Sequence, residues 1–317
     1  MFTLRHDNVR PYRGFLLLAL LMELSALSSA ARADSPVPVP ATISAAYDRV
    51  LPLEGGSNFR DMGGLFTTDG QRVRRGLLFR SGVMTSLTED DMDYLDQFGF
   101  ERVVDLRSSE ERELYPNHWA TKRGVEVVAH EYSMRELMKR AMGEDGQPSA
   151  SAMHNMYKTL PYMLEPQLKL FFAELVAGNA PLAVNCSAGQ DRTGISSALL
   201  LLALGVPKDV VMQDYLNSTR FRRPVIERGD VDLVAAAEDN FFAAVMLRYS
   251  GESGEVSPAS PLLTDKGVPY LRFAMDQLEQ DFGSIEAFLE ARVGVDAADI
   301  QQLRSLYLES PFSASLQ

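Results

Sequence analysis

The sequence predicts an α/β fold: a central, mostly parallel sheet flanked by helices. Three observations predict it. Short β-branched runs alternate with longer amphipathic stretches over the first two thirds of the chain, the pattern of strand–helix crossovers. The last third reads as helices alone. A short apolar strand at 181–184 passes through a small-residue turn into an almost wholly apolar helix at 194–205, which places that helix inside the core.

The elements follow in order. Arg5, Arg10 and Arg13 precede an apolar run at 15–22, and small residues then lead to Ala31-Arg32-Ala33. A basic start, a short apolar centre and an A-x-A site predict a signal peptide over 1–33 and export, periplasmic or secreted, after cleavage near Ala33. The apolar run is far shorter than the ~20 residues that span a bilayer. Residues 34–47 read as a Pro-rich extended lead-in and 48–310 as a single domain. Within it, 57–64 is turn chemistry, 75–79 a strand, and 86–91 a capped helix start with acids in its first turn. Leu87, Met92, Leu95 and Phe98 give that helix its apolar face, and Gly99 ends it. A strand at 102–106 enters a second capped start at 108–111. A third strand covers 125–129. From 134 to 177 the pattern is helical, broken at 143–147, Pro161 and Pro166; part of this segment is a candidate lid with a glycine hinge at 143–146. Helices follow at 207–218 and 231–249. After a Gly/Ser/Pro-rich loop, further helices at 268–280, 284–293 and 297–308 form a C-terminal elaboration.

The chain has 317 residues and a net charge of −12. An acidic total argues against nucleic-acid binding and against stable association with an anionic membrane, yet leaves room for a small basic pocket. The single cysteine excludes an intrachain disulfide and a four-thiolate zinc site. His6, His118, His130 and His154 show no ligand or base spacing and read as structural or surface groups; His130, just after a strand, is the one placed to lie near a site.

The chemistry concentrates at Asn185-Cys186-Ser187-Ala188-Gly189-Gln190-Asp191-Arg192-Thr193-Gly194. The only cysteine stands where a strand ends and the core helix begins. Strand, small-residue loop and helix N-terminus together curl backbone N–H groups around an anion. Arg192 can grip two phosphate oxygens with its planar fork. The same field favours a thiolate at Cys186. Thr193, at the helix start, is placed to hydrogen-bond that thiolate. The Arg220-Phe221-Arg222-Arg223 cluster reads as a solvated face, with assistance to an anionic substrate as the alternative.

This run, joined to Asn58-Phe59-Arg60-Asp61-Met62-Gly63-Gly64, resembles the cysteine-dependent protein tyrosine phosphatase superfamily in its secreted bacterial branch. The resemblance extends from about residue 51 to 308 and includes Phe282-Gly283-Ser284-Ile285 as a helix start. It implies metal-free hydrolysis of a phosphomonoester through a phosphocysteine, with Cys186 as nucleophile and Arg192 as phosphate clamp. It assigns the acid and base work to Asp191. Ser187, Ala188, Gly189, Gln190 and Thr193 then bind the substrate, a phosphorylated protein or other phosphomonoester. Asp61 and Asp105 are secondary candidates for the acid; the plainer reading is loop bracing and a pair with Arg60 or Arg107. Two positions depart from the branch. Asn185 stands where His is usual, and is expected to donate to the loop backbone. Gln190 replaces a common Lys, which weakens the case for phosphoinositides and favours phosphotyrosine, with dual specificity open. A phosphoinositide phosphatase and a weakly active phospho-ligand binder are the alternatives.

Overall fold

The computed structural model describes residues 48–136, 152–249 and 256–310. The expected signal peptide, the lead-in and the 143–146 hinge lie outside these residues. The main sheet has five strands: β1 (Arg60–Asp61), β3 (Leu78–Ser81), β4 (Arg102–Asp105), β5 (Glu126–Ala129) and β6 (Leu182–Asn185). Their order is β1-β3-β6-β4-β5, with β1 antiparallel to β3 and the remaining pairs parallel. A second, two-stranded sheet joins β2 (Arg72–Val73) to β7 (Leu308–Glu309), tying the end of the domain back to its beginning. An Arg72–Glu309 ion pair at 2.6 Å reinforces it.

The helices are α1 (Glu89–Asp96), α2 (Ser109–Leu114), α3 (His118–Arg123), α4 (Ala152–Met163), α5 (Glu165–Val176), α6 (Asp191–Ala203) and α7 (Lys208–Phe221), followed by α8 (Pro224–Arg228), α9 (Leu233–Ala236), α10 (Phe241–Tyr249), α11 (Tyr270–Phe282), α12 (Ile285–Phe288) and α13 (Ala297–Tyr307). Thr88 and Ser108 close complete capping boxes on α1 and α2. Ser284 caps α12 as its motif predicts.

The register explains which residues meet the core. Phe79, Ala183 and Val103 are cross-strand partners and point to one face. There they join Met92 and Leu95 of α1, Trp119 of α3, and Phe59, Phe98 and Phe100 in one apolar cluster. Edge-to-face ring pairs run through it, including Phe79–Phe98 at 5.1 Å and Phe100–Trp119 at 5.1 Å. Each such buried aromatic contributes about 1.5–3 kcal/mol of transfer free energy. One residue further along, Arg80 faces the opposite side. The last row, Ser81–Asn185–Asp105, brings three polar residues to the C-terminal edge of the parallel strands, the edge at which open α/β sheets bind ligands.

Several boundaries differ from the sequence reading. The strand expected at 75–79 is displaced to Leu78–Ser81 because Gly76, at φ +75°, still belongs to a turn. The helix expected at 231–249 is two helices. Between them Asn240 is buried; its Nδ2 donates to Glu110 O and its Oδ1 accepts from Ala243 N, so a tertiary contact and a new cap interrupt the run. The helix at 284–293 is α12 followed by a π-turn, Leu289–Val293, that Gly294 ends. Pro161 does not break its helix but lies in the last turn of α4. The described part of the candidate lid, α4, is docked on α11: His154 stacks on Phe273 at 4.4 Å and Tyr157 on Tyr270 at 5.5 Å. No helix of the described residues is long and apolar enough to cross a membrane.

Candidate active site

Strand β6 delivers Asn185 and Cys186 to the strand edge, and α6 begins at Asp191. Between them the loop makes a cup, and its carbonyls explain why. Ser187 O accepts from Val83 N at 2.9 Å. Ala188 O accepts from Asn58 Nδ2 at 3.1 Å. Gly189 O accepts from Asn58 Nδ2 at 2.9 Å and from Arg80 Nη2 at 3.0 Å. A trans peptide points its N–H opposite to its C=O. Anchoring these carbonyls outward therefore turns the N–H groups of Ala188, Gly189 and Gln190 to the inside, beside Cys186. Gly189 sits at φ +66°, and a Cβ there would lie 2.6 Å from Ser81 O, so only glycine fits.

The upstream motif is the mould for this cup. Asn58, at φ +56°, gives Nδ2 to the loop while its Oδ1 accepts from Arg60 Nη1. Arg60 is buried and reaches Ser218 Oγ at 3.0 Å and Asp214. Asp214, on α7, also holds Arg80 at 2.8 Å and Arg49 at 2.6 Å. Burial opposes its ionisation, but three guanidinium groups hold its carboxyl well below the usual range. Asp61 braces the turn instead, accepting from Gly63 N at 2.7 Å and Gly76 N at 3.0 Å. Asp105 lies in a 2.6 Å ion pair with Arg107, both buried. The structure brings neither carboxylate into the cup as a free group.

Arg192 is positioned by a residue the sequence reading passed over. Glu111, fully buried, accepts from Arg192 Nη2 at 2.5 Å and Nη1 at 2.7 Å, and from Ser187 Oγ at 2.6 Å. Burial would raise the Glu111 pKa, but the Arg192 charge and these bonds outweigh it and lower it to about 2. Arg192 Nη1 also donates to Leu106 O at 3.2 Å and to Tyr132 Oη at 2.8 Å. Burial pushes the Tyr132 hydroxyl up to about 12, so it stays protonated and donates to Leu106 O. His130 reaches this network only by stacking on Tyr132. Arg80, Arg192 and Arg222 all lie within electrostatic reach of Cys186.

Two expected hydrogen bonds are absent. Both amide atoms of Asn185 are buried without a partner among the described residues, so it does not donate to the loop. The Thr193 hydroxyl likewise has no partner, the Cys186 sulfur included. Gln190 is buried and takes a bond from Arg222 Nη1 on its Oε1. Arg222 therefore belongs to the site rather than to a solvated face. Asp191 opens α6 and accepts from Tyr157 Oη.

A cavity of about 440 Å³ opens beside the loop, bounded by Ser187, Ala188 and Arg222, with Val83, Tyr115 and Phe242 as apolar walls. A loop of inward N–H groups next to a buried free cysteine and a fixed arginine is the arrangement that a cysteine-dependent phosphatase of the α/β class needs. The sequence comparisons agree. The model of the tyrosine phosphatase family matches residues 51–309, and the chain belongs to that family. It is 29% identical over 277 residues to a Cupriavidus necator protein classed by name as a tyrosine-protein phosphatase, covering 86% of this chain and 92% of that protein. It is 27% identical over 290 residues to the triple specificity protein phosphatase PtpB of Mycobacterium tuberculosis, covering 82% and 99% respectively. A tyrosine-protein phosphatase of Nostoc commune is 24% identical over 308 residues, covering 93% and 98%.

Proposed function

We propose that the chain hydrolyses phosphotyrosine in proteins by two in-line displacements. The Cys186 thiolate attacks phosphorus; an S–P bond forms as the ester P–O bond breaks, and Asp191 gives its proton to the leaving oxygen. Water then attacks the phosphocysteine, loses its proton to Asp191, and frees phosphate and thiolate. Arg192 and the inward N–H groups of Ala188, Gly189 and Gln190 stabilise the equatorial oxygens, whose charge must be held through both steps. The observation that carries this reading is the outward anchoring of the loop carbonyls around Cys186. Aromatic and aliphatic walls beside the cup support an aryl ester.

The test is hydrolysis of an aryl phosphate and a phosphotyrosine peptide by the wild type and by Cys186→Ser. Turnover lost only in the variant supports the reading; equal rates in both would sink it. One observation favours a second substrate class. Arg222 stands beside Gln190 at the rim where the common Lys is missing, in a 2.5 Å ion pair with Glu227 that a polyanionic inositol headgroup would have to displace. Phosphate release from inositol lipids, set against release from phosphopeptides, decides between them. Cleavage near Ala33 would send residues 34–317 to the periplasm or beyond, a reading supported by the composition of residues 1–33. The N-terminal sequence of the mature protein tests it.

A further inference from the structure

Asp191 does not stand alone at the start of α6. The Tyr157 hydroxyl on α4 donates to its Oδ1, and the Tyr215 hydroxyl on α7 donates to the Tyr157 oxygen at 2.6 Å. Three helices, α4, α6 and α7, thus converge on one carboxylate. Both rings are buried and fixed: Tyr157 stacks on Tyr270, and the Tyr215 ring lies so close to α6 that a Cβ on Gly194 would meet it at 2.9 Å. Burial and the neighbouring Asp191 carboxylate raise both hydroxyls above the ordinary tyrosine range, so they persist as donors.

We propose that Tyr157, backed by Tyr215, is a positioning residue for Asp191: its hydroxyl occupies Oδ1, so the transferable proton must ride on Oδ2. A carboxylic acid whose proton can sit on either oxygen and whose plane can turn wastes encounters. One whose Oδ1 is taken by a rigid donor presents a single oxygen to the ester and later to water. Because Tyr157 belongs to α4, the orientation of the acid depends on the docking of α4 on α11, outside the loop itself. The inference rests on the role of Asp191 in the proposed mechanism.

The experiment measures kcat and KM of the full chain on an alkyl phosphate, which needs a protonated leaving group, and on 4-nitrophenyl phosphate, which needs it little. Wild type, Tyr157→Phe, Asp191→Asn and the double variant are compared. Tyr157→Phe keeps the ring stack and removes only the donor. The expected result is a loss in kcat of about 10-fold on the alkyl ester with under about 3-fold on the aryl ester and KM unchanged, a fraction of the ~10²–10⁴-fold that general acids supply. In the Asp191→Asn background the same substitution should cost nothing further. Equal losses on the two esters, or full additivity with Asp191→Asn, would overturn the proposal. If Tyr157→Phe does not fold, Tyr215→Phe should show the same split in smaller measure, and equal losses there overturn it too. A wild type that hydrolyses neither ester sinks the phosphatase reading and this one with it. A working wild type whose alkyl-to-aryl ratio is untouched by Tyr157→Phe sinks the positioning role alone.

Discussion

Arg192 and Glu111 stand 81 residues apart in the chain and meet in a two-point ion pair, Nη2 to Oε1 at 2.5 Å and Nη1 to Oε2 at 2.7 Å. Glu111 also completes the capping box of α2 by accepting from Ser108 N at 2.9 Å. One carboxylate thus fixes the helix start and the Arg192 guanidinium together. It further takes Ser187 Oγ, which locks the first turn of the loop to the same point.

Replacing this carboxylate while keeping its shape isolates the clamp. Glu111→Gln retains an acceptor for Ser108 N but loses the charge and the fork that aligns Arg192. Misplacement of a phosphate clamp by about 1 Å costs on the order of 10²-fold in rate. Steady-state kinetics on an aryl phosphate should show kcat/KM falling by about that factor, with KM rising. A fall below about 3-fold would mean that Arg192 holds its place without Glu111.

The same residue sets an acid limit on stability. Its pKa is lowered from 4.5 to about 2 in the folded protein. A depressed carboxyl stabilises the fold fully above its unfolded value, and that contribution is lost as pH falls from there through the folded value. The wild type should therefore lose its advantage over Glu111→Gln between about pH 5 and pH 2, by a few kcal/mol at order of magnitude. Urea unfolding at a series of pH values checks it; a constant difference over that range contradicts the assignment.

How much of this was legible in sequence follows from distance along the chain. The loop from Cys186 to Gly194 is contiguous, so its chemistry could be read directly, and the α1 and α2 starts announce themselves through local capping. Glu111 sits inside such a capping pattern and reads there as local structure alone. Asp214, Tyr157 and Arg80 carry no local signature; they become site residues only because α7, α4 and β3 pack around the loop. The paired strands Arg72–Val73 and Leu308–Glu309 are too short for any periodicity to show. Asn185 and Thr193 mark the opposite error: adjacency to the motif suggested hydrogen bonds that neither side chain makes among the described residues.

The cup depends on one glycine. An alanine at 189 must keep φ near +66° and bring its Cβ to 2.6 Å from Ser81 O and 2.7 Å from Gly82 N, both backbone atoms of β3 and its continuation. Neither can yield without moving the strand edge. Gly189→Ala should therefore lower the melting temperature and cut phosphate binding. Vanadate, which mimics the phosphoryl group, should bind at least about 10-fold more weakly, the equivalent of about 1.4 kcal/mol. Unchanged vanadate affinity would show that the loop tolerates a Cβ.

Asp214 is the most exposed to failure, in the energetic sense, because it balances more than its own charge. It is buried and contacts Arg49, Arg60 and Arg80, of which Arg60 and Arg80 are themselves 1% exposed. Removing the carboxylate leaves two guanidinium groups in the interior with no carboxylate partner among the described residues, and breaking a buried ion pair from one side costs about 3–5 kcal/mol. Asp214→Asn should lose that much in chemical denaturation. The loss should also reach the loop, since Arg80 is the donor that holds Gly189 O. Two variants separate the two effects. Arg80→Met removes that donor together with one of the buried cations, so Asp214 keeps Arg49 and Arg60. It should cost less stability than Asp214→Asn yet weaken vanadate binding at least as much. If Asp214→Asn unfolds no more easily than the wild type, the cluster is not what holds the mould of the loop together.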